Sequence, residues 1–537
     1  VGLLCCKTRE RQASEFIQRQ LTAIIVENFK KTKDFWVFWR MIKRQRVEEG
    51  LPVSVNYMLI FEIVVVINSA LALVTVFREK RDIAATWAWM LVLVLLPVVG
   101  FIAYAFIGRK LPKGRMFRLQ HQVAVQLNER LSQQREQLGT EIMPADKISH
   151  SVINMVNMFM ETDQAFLARQ NRVKIFTDGH DLFHTMMEDI ERAHSSIHIE
   201  FYTFYNDKIG NEILNLLVKK AAAGVEVRVI YDPWGSMGTW KRFFKPLMAV
   251  GGHVEPFLGT RSAVIDFRLN FRDHRKVVTI DGQVGYVGGF NIGDQYLGRK
   301  EKFGYWRDTH LRIVGSGVFS LQARFMLDWN ATDKDHPFND RKIDTRYFPL
   351  SKVKGNTSLQ IVSSGPDSDL QQIKMGYMRL IQTAEKSLWI QTPYLIPDDS
   401  VLDSLRIAAM AGIDVRIMIP DKPDHAFVYR ATQYYARQLA DDGVKIYYYH
   451  NGFIHAKTIV VDGRIASVGS ANMDYRSFKL NFEINAFIYD EGIARELEGI
   501  YEKDMAHSEL ITPEKFDQQS LYLKFKQTAS RLLSPIL

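Results

Sequence analysis

Two long apolar runs stand near the beginning of the chain, ahead of shorter strand-like and helix-like patterns. Residues 58–77 (MLIFEIVVVINSALALVTVF) and 83–107 (IAATWAWMLVLVLLPVVGFIAYAFI) contain one ionisable side chain, Glu62. A run of about 20 apolar residues is long enough to cross a bilayer as a helix. The short loop REKRD separates the two runs. The pattern therefore predicts a two-helix transmembrane hairpin over 58–108, with both flanks on one side of the membrane.

The charges around these runs indicate an orientation. The loop between them is basic, and more lysine and arginine residues precede the first run and follow the second. Cytoplasmic flanks of membrane helices carry an excess of lysine and arginine. We therefore predict a multi-pass protein of the cell membrane whose catalytic part is cytoplasmic. A buried pair of core helices is the alternative interpretation, but two such runs in tandem with tryptophan near one end favour the membrane.

After the apolar runs, the pattern becomes polar helix and then alternating strands and helices. The strand patterns SSIHIEFYTF (195–204) and KSLWIQTPYL (386–395) each follow a helical run. Each is followed by a helix end, a glycine and a buried strand, in AAAGVEVRVIYD (221–232) and MAGIDVRIMIPD (410–421). The same order of elements occurs twice, which predicts a duplicated α/β unit. Two such units usually pack about a pseudo-two-fold axis, so we expect their equivalent residues to meet over one cleft.

These patterns divide the chain into seven segments. They are a basic N-terminal extension (1–57), the transmembrane hairpin (58–108), a juxtamembrane helical linker (109–165), a first half (166–330), a linker (331–358), a second half (359–510) and a C-terminal amphipathic helix (511–537). On the last helix, Leu521, Phe525, Ala529 and Leu532 fall on one face. We predict that this helix packs on the domain, and a position on the membrane surface is the alternative.

Charge and cysteine content restrict the function only partly. The net charge of +9 suits an anionic lipid surface and would equally suit nucleic acid. Both cysteines, Cys5 and Cys6, lie in the extension 1–57. Adjacent cysteines could be acylated or bind a metal, but we interpret this extension, which has no signal-peptide pattern, as having no part in the function. The rest of the chain has neither a disulfide framework nor a thiol nucleophile.

Two hairpin patterns carry the candidate chemistry. They are FRDHRKVVTIDGQVGYVGGFNIGDQY and FIHAKTIVVDGRIASVGSANMDYRSFKLNFEIN. Asp-Gly between two β-branched runs predicts a tight turn with positive φ, at Asp281-Gly282 and at Asp462-Gly463. These turns explain both aspartates, to which we give a mainly structural role although they belong to the repeated pattern. Small glycines at the end of each returning strand would let a ligand approach the backbone.

In both copies, a lysine follows the histidine by two positions, an aspartate by seven and an asparagine by seventeen. Side chains two apart on a strand share a face. The candidate residues are His274, Lys276, Asp281, Asn291, His455, Lys457, Asp462 and Asn472. A single histidine on a strand is more often structural, and the repeated spacing is what raises this pair above that alternative.

Two imidazoles, two ammonium groups and two amides form an anion site without metal ligands or a cofactor, and a phosphodiester is the natural reactive anion. One imidazole could attack phosphorus while the other protonates the leaving alcohol. The lysines and asparagines would hold the charge that develops on the oxygens. Each histidine needs an acceptor for its second nitrogen. Asp308 and Glu483 stand at matching places for this role.

The chain resembles the phospholipase D superfamily. Residues 274–291 and 455–472 both match its motif His-x-Lys-x4-Asp-x6-Gly-x2-Asn. From about residue 58 to the end, the chain is similar to the bacterial membrane-anchored cardiolipin synthases, in the hairpin and in the phrases GGFNIGDQYLG, WRDTHLRIVG, QTPYLIPDDS, SANMDYRSFKLNFE and RLLSPIL.

The resemblance implies that two phosphatidylglycerol molecules become cardiolipin and glycerol through a phosphatidyl-histidine, without metal or nucleotide. It further implies that His274 is the nucleophile, that His455 is the general acid and base, and that Asp308 and Glu483 orient the histidines. The expected partners are phosphatidylglycerol and membrane lipid, not nucleic acid. A hydrolase with water as acceptor, and a membrane scaffold that only binds anionic lipid, remain as alternatives. Phosphatidylethanolamine as donor and the oligomeric state stay open.

Overall fold

A computed structural model describes residues 67, 74, 83–96, 99–104, 108, 150–259, 270–338, 345–349, 351, 353, 355–532 and 534. The chain divides into two compact units, 1–104 and 105–537. The predicted extension 1–57, most of the first apolar run and most of the juxtamembrane linker lie outside the described residues.

The first unit contains two short apolar helices, α1 (Ile83–Leu95) and α2 (Val99–Ala103). Trp89 and Tyr104 make an edge-to-face contact with ring centroids 5.2 Å apart. Within the described ranges, the helices are too short for any of them to cross a bilayer. The predicted transmembrane hairpin is therefore not confirmed.

The second unit contains the repeated α/β elements. Its helices are α3 (His150–Thr162), α4 (Gly179–Glu191), α5 (Lys208–Ala222), α6 (Lys245–Ala249), α7 (Gly317–Thr332), α8 (Gln372–Thr383), α9 (Asp399–Met410), α10 (Ala426–Asp441), α11 (Tyr475–Lys479), α12 (Glu491–Met505), α13 (Pro513–Asp517) and α14 (Leu521–Arg531). Its strands are β1 (Ala168–Phe176), β2 (Ser196–Phe201), β3 (Glu226–Tyr231), β4 (His253–Pro256), β5 (Arg272–Asp273), β6 (Lys276–Ile280), β7 (Val284–Gly288), β8 (Trp306–Arg307), β9 (His310–Val314), β10 (Thr357–Ser364), β11 (Ser387–Gln391), β12 (Leu395–Ile396), β13 (Asp414–Pro420), β14 (Lys445–Tyr449), β15 (Phe453–Ile454), β16 (Thr458–Val461), β17 (Ile465–Gly469), β18 (Met473–Asp474), β19 (Asn481–Ile488) and β20 (Ser508–Ile511).

The main sheet repeats one strand order in mirror fashion about its centre. From one edge the order is β20-β14-β13-β11-β16-β17-β19-β10-β1-β9-β7-β6-β2-β3-β4. Strands β10 and β1 pair antiparallel at the middle, with Leu359 opposite Ala168. Outward from this pair, both sides have a strand, a hairpin and then three parallel strands, and β20 is added at one edge. The predicted duplicated α/β fold with two equivalent units is confirmed.

The two predicted hairpin turns are present between β6 and β7 and between β16 and β17. The φ angles are 51° and 62° at Asp281 and Gly282, and 52° and 61° at Asp462 and Gly463. Positive φ at both central residues is the geometry that matches the twist of a two-residue hairpin. Because only Gly and a few polar residues tolerate this geometry at low cost, the Asp-Gly pairs determine where the strands reverse.

The last helix of the predicted juxtamembrane linker, α3, is part of the core of the second half. Met155 and Phe159 on this helix are fully buried, and the Phe159 ring lies 4.5 Å from that of Phe487. The Gln360 side chain on β10 donates to the carbonyl oxygens of Val156 and Ala165. Helix α3 precedes the first half in sequence, but it thus completes the hydrophobic core of the second half.

The C-terminal helix α14 packs on α10, but with its polar side. Gln527 and Ser530 are buried there, and Gln527 lies within hydrogen-bonding distance of Gln433 on α10. Leu521 is 85% exposed, Phe525 69% and Leu532 76%. The expectation that the helix packs on the domain is confirmed. Its apolar residues, however, point away from the body.

Candidate active site

Both motif histidines lie just before a hairpin, where the chain pairs with a strand of the other half. Strand β5 runs parallel to the start of β19, and the backbone N–H of His274 donates to the carbonyl of Phe482 at 2.9 Å. Strand β15 runs parallel to β8, and the backbone N–H of His455 donates to the carbonyl of Arg307 at 2.7 Å. Each histidine is therefore held against the other half, not within its own hairpin as the spacing alone predicts.

Each histidine pairs with an acid from the opposite half. Nδ1 of His274 lies 2.9 Å from both carboxylate oxygens of Glu483. Nδ1 of His455 lies 2.7 Å from a carboxylate oxygen of Asp308. With the proton on Nδ1 and donated to the acid, Nε2 of each ring keeps the lone pair for chemistry. The structure brings together both predicted histidines and both predicted acids.

The acids are themselves held by neighbours. The Ser470 hydroxyl donates to Glu483 at 2.5 Å, and the backbone N–H of Thr309 donates to Asp308 at 2.7 Å. A Cβ at Gly289 would lie 2.0 Å from a carboxylate oxygen of Asp308. The glycine thus makes room for the acid, and the approach of a ligand to the backbone stays a prediction.

The two lysines lie against the histidines of their own motifs. Nζ of Lys276 donates to the carbonyl oxygen of His274 at 2.7 Å. Nζ of Lys457 lies 2.7 Å from Nδ1 and 3.2 Å from Nε2 of His455. Burial lowers the pKa of Lys276 to about 7 and that of Lys457 to about 8. Their ammonium groups are therefore poorly solvated cations that an anion would stabilise.

The electrostatics join both motifs into one cluster. Burial lowers the pKa of both His274 and His455 to about 4. Lys457 further lowers the pKa of His274, and Lys276 that of His455, so each ammonium acts on the histidine of the other motif. Burial raises the pKa of the carboxyls of Asp308 and Glu483, but the nearby lysine, the paired histidine and the hydrogen bonds to each carboxylate outweigh it, and both pKa values are lowered overall. Two carboxylates and two ammonium groups thus surround two neutral imidazoles.

The two predicted phosphate-binding asparagines are buried near this cluster but are not equivalent. Asn291 accepts with Oδ1 from the backbone N–H of Thr203 at 3.1 Å, which leaves Nδ2 as the end of the amide that can donate. Asn472 donates with Nδ2 to Asp474 at 3.1 Å, and its Oδ1 has no hydrogen-bond partner among the described residues. Nδ2 is therefore the engaged atom of Asn472, whereas Oδ1 is the engaged atom of Asn291.

Asp281 and Asp462 are not part of the cluster. The carboxylate of Asp281 accepts from the backbone N–H groups of residues 194–196 at 2.7 to 2.9 Å. The carboxylate of Asp462 accepts in the same way from residues 385–387 at 2.7 to 2.9 Å. Each ties its hairpin turn to the start of the neighbouring strand. These contacts support the mainly structural role that the turns indicate.

Aromatic rings that the spacing argument did not assign to the site cover both histidines. The Tyr202 ring lies 5.1 Å from that of His274, edge to face, and the ring of Trp306 lies 5.1 Å from that of His455. The ring of Tyr394 also lies near that of His455, with the centroids 6.4 Å apart. The Tyr394 hydroxyl donates to Asp424. The sequence could have indicated the two tyrosines by their position, because Tyr202 and Tyr394 closely follow the equivalent strands β2 and β11.

A group that could hold a metal ion lies away from the histidines, at the start of β4. Within the described part of the chain, ligand atoms of His253, Asp333 and His336 all lie within 4.8 Å of one another. His253 is opposite Arg228, near the start of β3, whereas the histidine cluster lies beyond Phe201, where β2 ends. This group is therefore not part of the candidate active site.

Comparison with known proteins agrees with this geometry. The family model described as "Cardiolipin synthase, PLD-like domain" matches residues 186–304 and 377–505, and "Phospholipase_D-nuclease N-terminal" matches 69–109. A cardiolipin synthase of Listeria innocua serovar 6a is 50% identical over 478 residues, which is 88% of this chain and 98% of the relative. A cardiolipin synthase of Staphylococcus aureus strain Mu50 is 47% identical over 476 residues, 88% of this chain and 95% of the relative.

A solved structure of phosphatidylserine synthase from Haemophilus influenzae Rd KW20 has a similar fold. It superposes with a TM-score of 0.55 at 16% identity and covers 72% of this chain and 99% of its own. The fold, the paired motifs and the relatives at about half identity agree with one another. The chain belongs to the phospholipase D-like cardiolipin synthase family.

Proposed function

We propose that this chain transfers a phosphatidyl group between two phosphatidylglycerol molecules, giving cardiolipin and glycerol. The observation that carries the proposal is the crossed arrangement of His274 with Glu483 and of His455 with Asp308. Two histidines, each with an acid at Nδ1, are what a reaction needs when one imidazole attacks and the other moves a proton.

In the first step, Nε2 of His274 attacks the phosphorus of one phosphatidylglycerol. The bond from phosphorus to the headgroup glycerol breaks, and the glycerol oxygen takes a proton from Nε2 of His455. In the second step, a headgroup hydroxyl of another phosphatidylglycerol loses its proton to His455 and attacks phosphorus. The bond from phosphorus to His274 breaks, so that cardiolipin forms and both histidines return to their starting states.

The charges of the cluster support this sequence. Lys276, Lys457 and Asn291 can hold the nonbridging oxygens, where charge develops in the transition state. His455 must carry a proton to act as an acid, and burial lowers its pKa to about 4. A phosphodiester anion bound between the lysines would favour the protonated form and raise this pKa, because an opposite charge nearby stabilises the imidazolium. Substrate binding would thus favour protonation of His455, the general acid.

Burial of the site favours transfer over hydrolysis. His274 is 8% exposed and His455 7%, and aromatic rings lie beside both. A site with little room for water lets a lipid alcohol compete for the phosphohistidine.

The proposal includes a membrane location, with the hairpin 58–108 in the bilayer and the catalytic part in the cytoplasm. On α1, Trp87 is 64% exposed, Leu91 62% and Leu95 65%. Large apolar side chains in such positions suit a lipid environment. The match of the N-terminal family model to 69–109 and the basic residues around the apolar runs support the same arrangement.

The test is mass spectrometry of the lipids after the purified full chain is incubated in detergent with phosphatidylglycerol alone. We expect cardiolipin and glycerol from the unmodified chain and neither from His274→Ala or His455→Ala. His184→Ala is the matched control, because this histidine also pairs with a carboxylate, Glu188, but its side chain is 76% exposed on α4. Phosphatidic acid as the main product would mean that water is the acceptor and would contradict the transferase.

The assignment of the nucleophile needs a second measurement. In His455→Ala the proton donor is missing but the nucleophile remains, so a lipid donor with a good leaving group should leave a phosphatidyl adduct on the peptide that contains His274. This adduct is detected by mass spectrometry of a proteolytic digest that is prepared without acid. An adduct on His455 in the His274→Ala variant, and none on His274, would reverse the two roles.

A further inference from the structure

The loop that follows β3 holds large apolar side chains out into solvent. Trp234 is 50% exposed, Met237 68% and Trp240 65%. Single exposed apolar residues are ordinary on a protein surface, but three large ones within seven positions form a patch that calls for a partner. We name residues 232–240 the tryptophan loop.

The tryptophan loop is rigidly attached to the body. The buried carboxylate of Asp232 accepts from the backbone N–H groups of Trp234 at 2.8 Å and Gly235 at 2.9 Å. The Ser236 hydroxyl donates to the carbonyl of residue 202 at 3.1 Å, and the Thr239 hydroxyl accepts from the backbone of residue 206 at 2.9 Å. The exposed side chains are therefore displayed by a fixed loop and do not result from a loose one.

The loop is in direct contact with the candidate active site. Asp232 also accepts from the backbone N–H of Asp273 at 3.0 Å, the residue before His274. A Cβ at Gly235 would lie 2.6 Å from the ring of Tyr202, and that ring lies 5.1 Å from the His274 imidazole. The patch thus lies one aromatic ring away from the proposed nucleophile.

The equivalent connection in the second half carries a similar feature. Strand β13 corresponds to β3, and the chain after it leads into α10, where Phe427 is 62% exposed. Asp424 in this connection accepts from the hydroxyl of Tyr394, whose ring lies 6.4 Å from His455. Both connections therefore link an exposed aromatic residue to a ring beside a histidine.

Basic side chains stand beside these apolar residues. Lys241, Arg242 and Lys245 follow the tryptophan loop and are exposed, and Lys422 is exposed before Phe427. Lys241 pairs with Glu255 at 2.7 Å. Aromatic residues that enter the interfacial region, with lysine and arginine beside them, are the combination that binds an anionic lipid surface.

We propose that the tryptophan loop and Phe427 form the surface that docks on an anionic bilayer, so that phosphatidylglycerol passes from the membrane between them to the histidines. This inference rests on the proposed function for the identity of the lipid, but not for the contact itself. With this surface docked, the acyl chains stay in the bilayer while the headgroup phosphate reaches the two histidines.

The test measures the contact directly in the full chain. Met237→Cys is labelled with an environment-sensitive fluorophore in a Cys5→Ser, Cys6→Ser background, and the protein is reconstituted into phosphatidylglycerol and phosphatidylcholine vesicles with nitroxide-labelled lipid. Met410→Cys is the matched control, because Met410 is 70% exposed. It is the last residue of α9 and lies just before the start of β13, whereas the site lies at the other end of the strands. Phe525→Cys on α14 tests the other exposed apolar surface.

We expect the nitroxide lipid to quench the probe at Met237 and to leave the probe at Met410 bright. Equal quenching at both, no quenching at Met237, or quenching at Phe525 without quenching at Met237 would overturn the proposal. His274→Ala in the Met237→Cys background should keep the quenching, because docking needs no turnover. If quenching occurs but no cardiolipin forms from phosphatidylglycerol, the proposed function fails and the docking surface stands.

A second variant keeps the proposal testable if a label disturbs the loop. Trp234→Ser, Met237→Ser and Trp240→Ser together should lower kcat/KM on vesicles about tenfold or more, since three apolar side chains leave the lipid. The same variant should act normally on short-chain phosphatidylglycerol dispersed as monomers. Unchanged kcat/KM on vesicles would overturn the proposal, and so would an equal loss on both substrates, which would mean that the loop acts on the site itself.

Discussion

Nδ1 of His274 lies 2.9 Å from both carboxylate oxygens of Glu483, a residue 209 positions later in the chain. The reverse pair, His455 with Asp308, spans 147 positions. Each half therefore supplies a histidine to one pair and the acid to the other. Neither half contains a complete histidine–acid pair of its own, so the duplicated units form one site and not two.

Glu483→Gln should lower kcat by about a thousandfold, because a neutral amide cannot stabilise the imidazolium-like charge on His274 or fix its tautomer as a carboxylate does. The variant should fold, since Gln keeps the shape and a hydrogen bond. The measurement is cardiolipin formation together with the thermal unfolding midpoint.

The matched control is Glu226→Gln, because Glu226 also lies beside a buried histidine, His198, at 3.4 Å, but away from the site. It should leave kcat unchanged. A Glu483→Gln enzyme within a few fold of the unmodified activity would contradict the role of the crossed pairs.

Asp281→Ala should lower stability without lowering kcat. Its carboxylate accepts from three backbone N–H groups, and the loss of such an acceptor costs about 1 to 3 kcal/mol. Thermal unfolding and kcat are measured on the same preparation, well below the unfolding midpoint. Asp462→Ala should behave alike at the second turn. A loss of kcat in folded protein would return these aspartates to the catalytic set.

Gly289→Ala should reduce kcat strongly, because its Cβ would lie 2.0 Å from the carboxylate of Asp308 and would push that acid away from His455. Gly499→Ala on α12 is the control, since a Cβ there meets no atom within 4 Å. It should keep kcat and raise stability slightly, because Ala is a better helix former than Gly. Normal activity of Gly289→Ala would show that Asp308 can relax without losing its partner.

Lys276→Met should abolish activity and remove part of the pH dependence of stability. The pKa of Lys276 is lowered from 10.5 to about 7 by burial. Between these two values the unfolded chain binds more protons than the folded one, so stability rises with pH over this window and the penalty for the buried charge is complete below about pH 7. Met carries no charge, so the variant should be the more stable at pH 6.

The measurement is the unfolding midpoint from pH 6 to 9 for Lys276→Met, the unmodified chain and Lys208→Met, whose lysine is exposed at the start of α5. The unmodified chain and Lys208→Met should show the same rise with pH, and Lys276→Met a smaller one. An equal rise in all three would mean that Lys276 does not titrate in this window.

EDTA should leave the rate of cardiolipin formation unchanged. Both acids of the site are hydrogen-bonded to histidines, and the other polar side chains there are lysine and asparagine, so the donor set suits an anion and not a cation. The rate is measured before and after chelation, with Mg²⁺ and Zn²⁺ added back separately. A loss of activity that either ion restores would overturn the metal-free mechanism.

Much of the fold could be predicted because the decisive signals are local. The Asp-Gly turns, the glycines that follow helices and the apolar runs of the buried strands act over a few residues, and the structure has each of them where the sequence indicates. The repeat was visible because both halves use the same local signals in the same order. The transmembrane hairpin stays a prediction, since most of it lies outside the described residues.

The face that α14 turns inward was not decided by its own pattern. An amphipathic helix normally buries its apolar side, but Gln527 and Ser530 are the buried residues here. The partner surface on α10 offers Gln433 to this side. Periodicity identifies the two faces of a helix, and only the surface that it meets determines which of them is buried.

The sequence by itself determined the residues of the site, because identical spacing in two copies selects His274, Lys276, His455 and Lys457 together. It did not determine which acid serves which histidine. The repeated motif is compatible with pairing within a half and with pairing between halves, and the choice depends on β5 joining β19 and β15 joining β8. Contacts between strands so far apart in the chain follow from how the two units pack, and this is why the tertiary structure alone established the crossed pairs.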